Sequence, residues 1–193
     1  VFTLANVSGG TVTQSGTGGK FVDFTAQATA GRGGFDFTVT DAAGKTRSLG
    51  EIDVVFPILH GPFGEDGSVQ GLLELLALPY VGDGVLASAM GMDKHFAKIA
   101  FQAAGIPVAP GITVTAREWG SDATGVAASV EPLGWPVFVK PARAGSSVGV
   151  TRVASAAELA GALEVALAED SKALVESAVV GREIECGVLA GRG

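Results

Sequence analysis

Val137-Phe138-Val139-Lys140-Pro141-Ala142-Arg143-Ala144-Gly145-Ser146-Ser147-Val148-Gly149-Val150-Thr151-Arg152-Val153 is the stretch on which the fold turns. Val137-Phe138-Val139-Lys140 reads as a strand, and the run from Val148 to Val153 as its hairpin partner across a glycine-rich loop. Backbone N–H groups that converge on one point bind phosphate oxygens well, and a lysine reinforces them as a point charge. Glycines let the backbone approach and take positive φ, while small hydroxyls add donors without filling the space. All these parts are present here, with Lys140 ending the first strand and Pro141 fixing the exit into the loop. The G-x-x-x-x-G-K-[ST] order is missing and no helix follows directly, so this is not a P-loop; nor is it a G-x-G-x-x-G turn. On the residues themselves a plain hairpin connection and a phosphate clamp both fit, and Lys140 and Pro141 favour the clamp.

Downstream, Ser155-Ala156-Ala157-Glu158 has the spacing of a capping box, opening a helix with Leu159, Leu163 and Leu167 on one stripe. Ala173-Leu174-Val175-Glu176 and the alternating run 183–189 are expected to complete a small sheet, with Cys186 as a small core residue of the last strand. A hairpin, a helix and two strands make an α+β lobe. Upstream, Pro and Gly at Gly105-Ile106-Pro107 and Ala109-Pro110-Gly111 separate that lobe from an α/β unit. Residues 108–114 read as a strand. A helix follows Asp93 with Phe96, Ile99, Ala100 and Ala103 on one face and Gly105 as its stop. His95 reads as a surface residue of that helix. Ile52-Asp53-Val54-Val55-Phe56-Pro57-Ile58 suits a strand buried on both faces. Ser68 is placed to cap a helix with the stripe Val69, Leu72, Leu73 and Leu76, and Pro79-Tyr80-Val81-Gly82 reads as a second short strand.

The first fifty positions are rich in glycine, and alternation such as Phe35-Asp36-Phe37-Thr38-Val39 suggests hairpins or irregular connections. No chemistry is legible there, since the stretch lacks His and offers no acidic pair at a helical spacing. The whole chain, 193 residues with 47% hydrophobic and 17% charged, has room for one ordinary domain or two small ones with a real core. A net charge of -7 argues against sequence-independent nucleic-acid binding. It leaves room for a small anion, because two placed lysines hold phosphates even on an acidic protein. The single cysteine, Cys186, excludes an intrachain disulfide and points to a reducing cytoplasm. No run of about 18 apolar residues suggests a membrane span. The start lacks a signal peptide's basic region, and both ends read as cuts through a longer chain.

Four segments together resemble the D-alanine–D-alanine ligases, a family of ATP-grasp enzymes. In order they are Leu59-His60-Gly61-Pro62-Phe63-Gly64-Glu65-Asp66-Gly67 followed by Gln70-Gly71, then Met92-Asp93-Lys94, then Phe138-Val139-Lys140-Pro141 with Gly145-Ser146-Ser147-Val148-Gly149, then Val175-Glu176 with Gly181-Arg182-Glu183-Ile184-Glu185-Cys186. The His-Gly-x-x-Gly-Glu-Asp-Gly motif is highly specific. The resemblance runs from about residue 50 to the end. It implies an α/β fold, with a partial N-terminal substrate domain over residues 1–92 and the small α+β ATP-grasp lobe over residues 93–193.

The resemblance also implies roles. Lys94 and Lys140 would hold phosphates of ATP, and Gly145, Ser146 and Ser147 would close as a flap, Ser146 belonging also to the catalytic assembly. Glu176 would accept from the adenine amino group, with the backbone of Ser177 and Val179 along the base edge, and Glu183 would accept from the ribose. A carboxylate suits both tasks because it only accepts. His60 would sit near the first D-alanine and Glu65 would orient its neighbours. Phosphorylation of one D-alanine and attack by the second would give the dipeptide for peptidoglycan. Magnesium would be required, but the family's metal ligands match no segment of this sequence, so no metal ligand is assigned. The expectations are that this polypeptide by itself has no ligase activity and that the full-length enzyme is a homodimer. A D-alanine–D-lactate ligase and an ATP-binding module without chemistry are the alternatives.

Overall fold

The structure, a computed structural model, describes residues 54–188 in full and the backbone of 23–28, 35–40 and 46–51. Those three backbone stretches are strands β1 (Asp23–Ala28), β2 (Phe35–Thr40) and β3 (Thr46–Glu51). They pair antiparallel in the order β1-β2-β3, with a register shift between Asp36 and Thr38. The Phe35 to Val39 alternation therefore lies on a strand of a meander.

The run from Val54 to Ile58 differs from the strand expected there; Ile52 and Asp53 lie outside the described residues. Its one ladder contact is a parallel bridge from Val55 to Tyr80, with Val55 N–H donating to Pro79 O at 2.9 Å and Val81 N–H to Val55 O at 2.9 Å. Phe56 and Ile58 stand exposed, because a single bridge brings no layer over either face. Helix α1 (Ser68–Leu75) buries Val69 and Leu73 against Leu78, with Val55, Leu59, Leu76 and Tyr80 around them. Ser68 is the first helical residue and does not cap it. Asp66 takes that work from outside the helix, its carboxylate accepting from Phe63 N–H at 2.8 Å and Ser68 N–H at 3.0 Å.

Helix α2 (Val85–Met92) leads into α3 (Lys94–Ala103), which Asp93 caps by accepting from His95 N–H at 3.0 Å and Phe96 N–H at 3.4 Å. Then come β4 (Gly111–Thr115), α4 (Ala116–Ser121), α5 (Ala123–Val130), a 3-10 turn at Glu131–Leu133, β5 (Val137–Pro141), β6 (Thr151–Val153), α6 (Ala156–Glu169) and β7 (Lys172–Ser177). The last strand inserts between earlier ones, so the sheet order is β4-β7-β5-β6, antiparallel throughout.

Period-two alternation divides this sheet into unlike faces. Val137 and Val139 of β5, Ala173 and Val175 of β7 and Val114 of β4 join Leu159, Leu163 and Ala166 of α6 in a core that is nearly free of solvent. Phe138, Lys140, Lys172, Leu174 and Glu176 alternate with them and face the other way. That face receives α3, which meets it through charge: Lys98 bonds Glu176, and Lys172 bonds Asp93 at 2.5 Å. The expected apolar stripe of α3 is accordingly left open, with Phe96 and Ile99 about half exposed and no residue of the helix buried.

Four further expectations are corrected. Ser155 makes no cap bond and the box does not form; Glu158 accepts instead from Ala154 N–H, one residue before the cap, at 2.9 Å. The alternating run 183–188 forms no strand, since no neighbouring strand among the described residues takes up its backbone groups, and Leu189 lies outside them. Cys186 is exposed for the same reason. His95 is half-buried, its Nδ1 2.8 Å from Thr113 Oγ1 on β4, because it lies on the sheet-facing side of α3. Among the described residues no helix is long and apolar enough to cross a membrane.

Candidate nucleotide site

The polar face of the sheet brings two lysines to one carboxylate, with a third lysine at the base of the adjoining loop. Glu176 sits on β7 opposite Phe138, one step diagonally from Lys140 on β5. Its Oε2 accepts from Lys140 and its Oε1 from Lys98 of α3. Both side chains meet a carboxylate that is only 10% exposed. Burial works to raise the Glu176 pKa, but the Lys140 and Lys98 ammonium groups outweigh it and hold the carboxyl below its ordinary value. Gly111 makes this approach possible, because a Cβ there would lie 2.7 Å from Val175 O and 2.9 Å from Glu176 Cγ.

Lys94, one turn before Lys98 on α3, reaches the start of the loop. Its ammonium donates to Pro141 O at 3.2 Å, to Ala142 O at 3.4 Å and to Ala144 O, while its N–H donates to Ala142 O at 3.0 Å. Burial, then the nearby Lys140 charge, lowers the Lys94 pKa. A second anchor comes from Arg143, whose N–H and Nε donate to Asp170 Oδ2 at 2.9 and 3.1 Å and whose Nη2 donates to Oδ1 at 2.5 Å. Burial would raise the Asp170 carboxyl, but these bonds prevail and lower it. The loop is thus pinned at its base while residues 145–148 project into solvent.

Its tip is conformationally costly. Ser146 and Ser147 both take left-handed backbone, φ 50° and 59°, a region that costs a non-glycine residue about 1–2 kcal/mol. Gly149 is also left-handed at φ 67°, and a Cβ on it would lie 2.7 Å from Pro141 Cγ. Strain of this kind concentrates at ligand-binding loops, and successive turns that point N–H groups outward make a concavity for anions.

The structure brings together Lys94, Lys140, Glu176 and the base of the Gly145-Ser146-Ser147 loop. Ser177 is turned inward instead, its hydroxyl donating to Leu133 O at 2.9 Å and its N–H to Pro110 O at 2.9 Å. Val179 and Glu183 lie exposed on the segment that leaves the sheet. His60 is exposed after the Val55 bridge, and Glu65 accepts from Gly61 N–H at 2.5 Å. Among the described residues no hydrogen bond or ion pair joins His60 or Glu65 to the lysine cluster. Lys98 was not singled out by the sequence, although its i+4 spacing from Lys94 places both on one face of a helix. Nor was the Arg143–Asp170 anchor. A cavity of about 290 Å³ between β4, α4 and α5, lined by Thr113, Glu118, Asp122 and Val126 among others, includes none of the lysines and is a separate feature. Among the described residues no group of three or more His, Cys, Asp or Glu could hold a metal ion.

A four-stranded antiparallel sheet with one helix-covered face, and a lysine-bearing face beneath a glycine–serine loop, is the small lobe of an ATP-grasp fold. Two family models match the chain, D-ala D-ala ligase N-terminus over residues 14–83 and D-ala D-ala ligase C-terminus over residues 100–192. The chain belongs to the D-alanine–D-alanine ligase family. The match reaches back to residue 14, well before the position near 50 where the motifs begin. The D-alanine–D-alanine ligase of Paenarthrobacter aurescens is 57% identical over 155 residues, which are 80% of this chain and 41% of the relative. That of Kineococcus radiotolerans is 62% identical over 141 residues, 73% of this chain and 38% of the relative. Among solved structures, the D-alanine–D-alanine ligase from Coxiella burnetii superposes with a TM-score of 0.65 at 35% identity, covering 77% of this chain and 44% of that one. The Helicobacter pylori enzyme gives 0.63 at 26% identity, covering 81% and 44%. The chain therefore spans about two fifths of the length of the relatives it matches.

Proposed function

We propose that this chain supplies the ATP-binding lobe and part of the substrate domain of an enzyme that joins two D-alanines at the expense of ATP. The observation that carries the reading is that Lys98 and Lys140 meet on Glu176 while Lys94 holds the base of the 145–149 loop, in a chain of this family. Lys98 and Lys140 share the single Glu176 carboxylate while Asp93 and Asp170 are taken by Lys172 and Arg143, so the site keeps a surplus of positive charge, as the phosphates of ATP require.

In this reading Lys140 meets the α- and β-phosphates, and Lys94, which ties the loop base to α3, sets where the loop can close. Gly145, Ser146 and Ser147 fold over the phosphates and keep water from them. Glu176 has a lone pair left on each oxygen after meeting its lysines, enough to accept from the adenine amino group beside the backbone of Ser177 and Val179. Glu183 takes the ribose hydroxyls and His60, oriented with Glu65, the first D-alanine. A carboxylate oxygen of that D-alanine attacks the γ-phosphorus and ADP leaves. The amine of the second D-alanine then attacks the acyl phosphate carbon, phosphate leaves, and the amine proton is lost to solvent. The lobe's part is positioning and charge stabilisation. Magnesium, when bound, would share the phosphate charge; the described residues form no site for it, and no step is routed through it.

The assay is ADP release by the protein that carries this chain, with D-alanine as acceptor and D-lactate in a parallel reaction. D-Alanine-dependent turnover, lost by about 100-fold or more in Lys140→Ala and reduced in His60→Ala, is expected. Turnover unaffected by both substitutions would overturn the reading.

A further inference from the structure

We infer that Lys98 is a positioning residue of the nucleotide site, acting through Glu176 on the ammonium group of Lys140. The inference rests on the nucleotide-binding reading and adds to it a residue that the motifs do not mark. Lys98 lies one helical turn after Lys94 and is 18% exposed. Its ammonium is held on two sides, by Ala109 O at 2.5 Å and by Glu176 Oε1. Ala109 belongs to the segment entering β4, and Glu176 to the central strand β7, so Lys98 ties α3 to the sheet one helical turn beyond Lys94, which holds the loop base. Glu176 is the only described carboxylate that pairs with either Lys98 or Lys140.

The geometry divides the carboxylate evenly, one oxygen to each lysine. With Lys98 present, Oε1 is engaged and the Glu176 side chain has one orientation, which directs Oε2 at Lys140. Without Lys98, the carboxylate is free to rotate and to take Lys140 bidentately. That withdraws the Lys140 charge from the phosphates and leaves it neutralised by a full carboxylate. Lys98 thus sets both where the Lys140 ammonium stands and how much of its charge remains available. Its own ammonium, spent on Ala109 O and Glu176, need not touch the ligand.

The test is calorimetric titration of ATP, inorganic tripolyphosphate and adenosine into this chain carrying Lys98→Met, Lys98→Arg, Glu176→Gln, and Lys98→Met with Glu176→Gln. Lys98→Met is expected to weaken ATP and tripolyphosphate by about tenfold each and adenosine, which meets Glu176 but not Lys140, by less than about threefold. Arginine, which keeps a charged donor for Oε1, should restore affinity to within about threefold. In the Glu176→Gln background Lys98→Met should cost less than about twofold, the non-additivity expected of residues acting in one chain of contacts. Full additivity, an unchanged affinity in Lys98→Met, or a loss confined to adenosine would overturn the inference. Should the unaltered chain bind no ATP, the nucleotide reading fails while this one is still decided. The ammonium resonance of Lys140 in nitrogen-15 lysine-labelled protein then shifts on Lys98→Met if the two are coupled through Glu176, and stays in place if they are not.

Discussion

At the scale of single residues, charge placement governs this molecule. Glu176 and Asp170 are both held below their ordinary pKa, in each case because cationic donors outweigh burial. A carboxyl depressed in the folded state contributes stability that is fully present above its unfolded pKa and is lost as pH falls through its folded one. Asp170→Asn, which removes the partner of Arg143, should therefore cost on the order of 1 kcal/mol at pH 7, the Arg143 end being more than half exposed. The difference between variant and parent should shrink to nothing as the pH is brought below the ordinary carboxylate range. Urea denaturation across pH 2.5 to 7 (about 1 unit steps suffice) measures it, and a constant difference over that range would contradict the pairing. Lys140 and Glu176 were legible in the sequence because period two places a strand's alternate residues on one face, and the family motifs marked which face mattered. Lys98 was not: on an isolated helix a lysine reads as solvated, and only β7, lying between β4 and β5, brings a carboxylate to it.

Elements show a different limit. The β5–β6 hairpin, the α6 stripe and the Asp93 cap all follow from short-range rules, and the structure has them. The local caps expected at Ser68 and Ser155 do not form, and the other misses depended on neighbours. Residues 183–188 alternate as a strand should, yet no ladder receives them; Val54 to Ile58 has one bridge; α3 turns its charged side to the sheet and leaves Phe96 and Ile99 half open. Period and propensity describe what a segment can do, while pairing and docking decide what it does. The hairpin loop carries the element-scale prediction. Gly149 combines left-handed φ with a Cβ position that meets Pro141 and Glu169. Gly149→Ala should destabilise the chain by about 1–2 kcal/mol and weaken ATP by severalfold, because the loop base shifts against Pro141. Thermal melting and ATP titration of the variant read these separately; an unchanged melt and affinity would mean that the loop is not held as described.

Across the whole molecule, an acidic chain of net charge -7 carries a local cationic site, and the contrast matters for selectivity. In the reading proposed above, Lys94, Lys98 and Lys140 attract a compact phosphate chain locally although the chain as a whole is acidic. The sheet makes this possible by giving its two faces separate work: one buries Val137, Val139, Leu159 and Leu163 with the rest of the core, and the other is free to hold charge against α3. Isothermal titration of ATP into the chain, with Lys140→Ala as its control, tests this most directly. ATP should bind with one site per chain, and Lys140→Ala should weaken it by about 10- to 100-fold. No binding of ATP, or equal binding by the parent and Lys140→Ala, would contradict the assignment of the 140–149 segment to nucleotide phosphates.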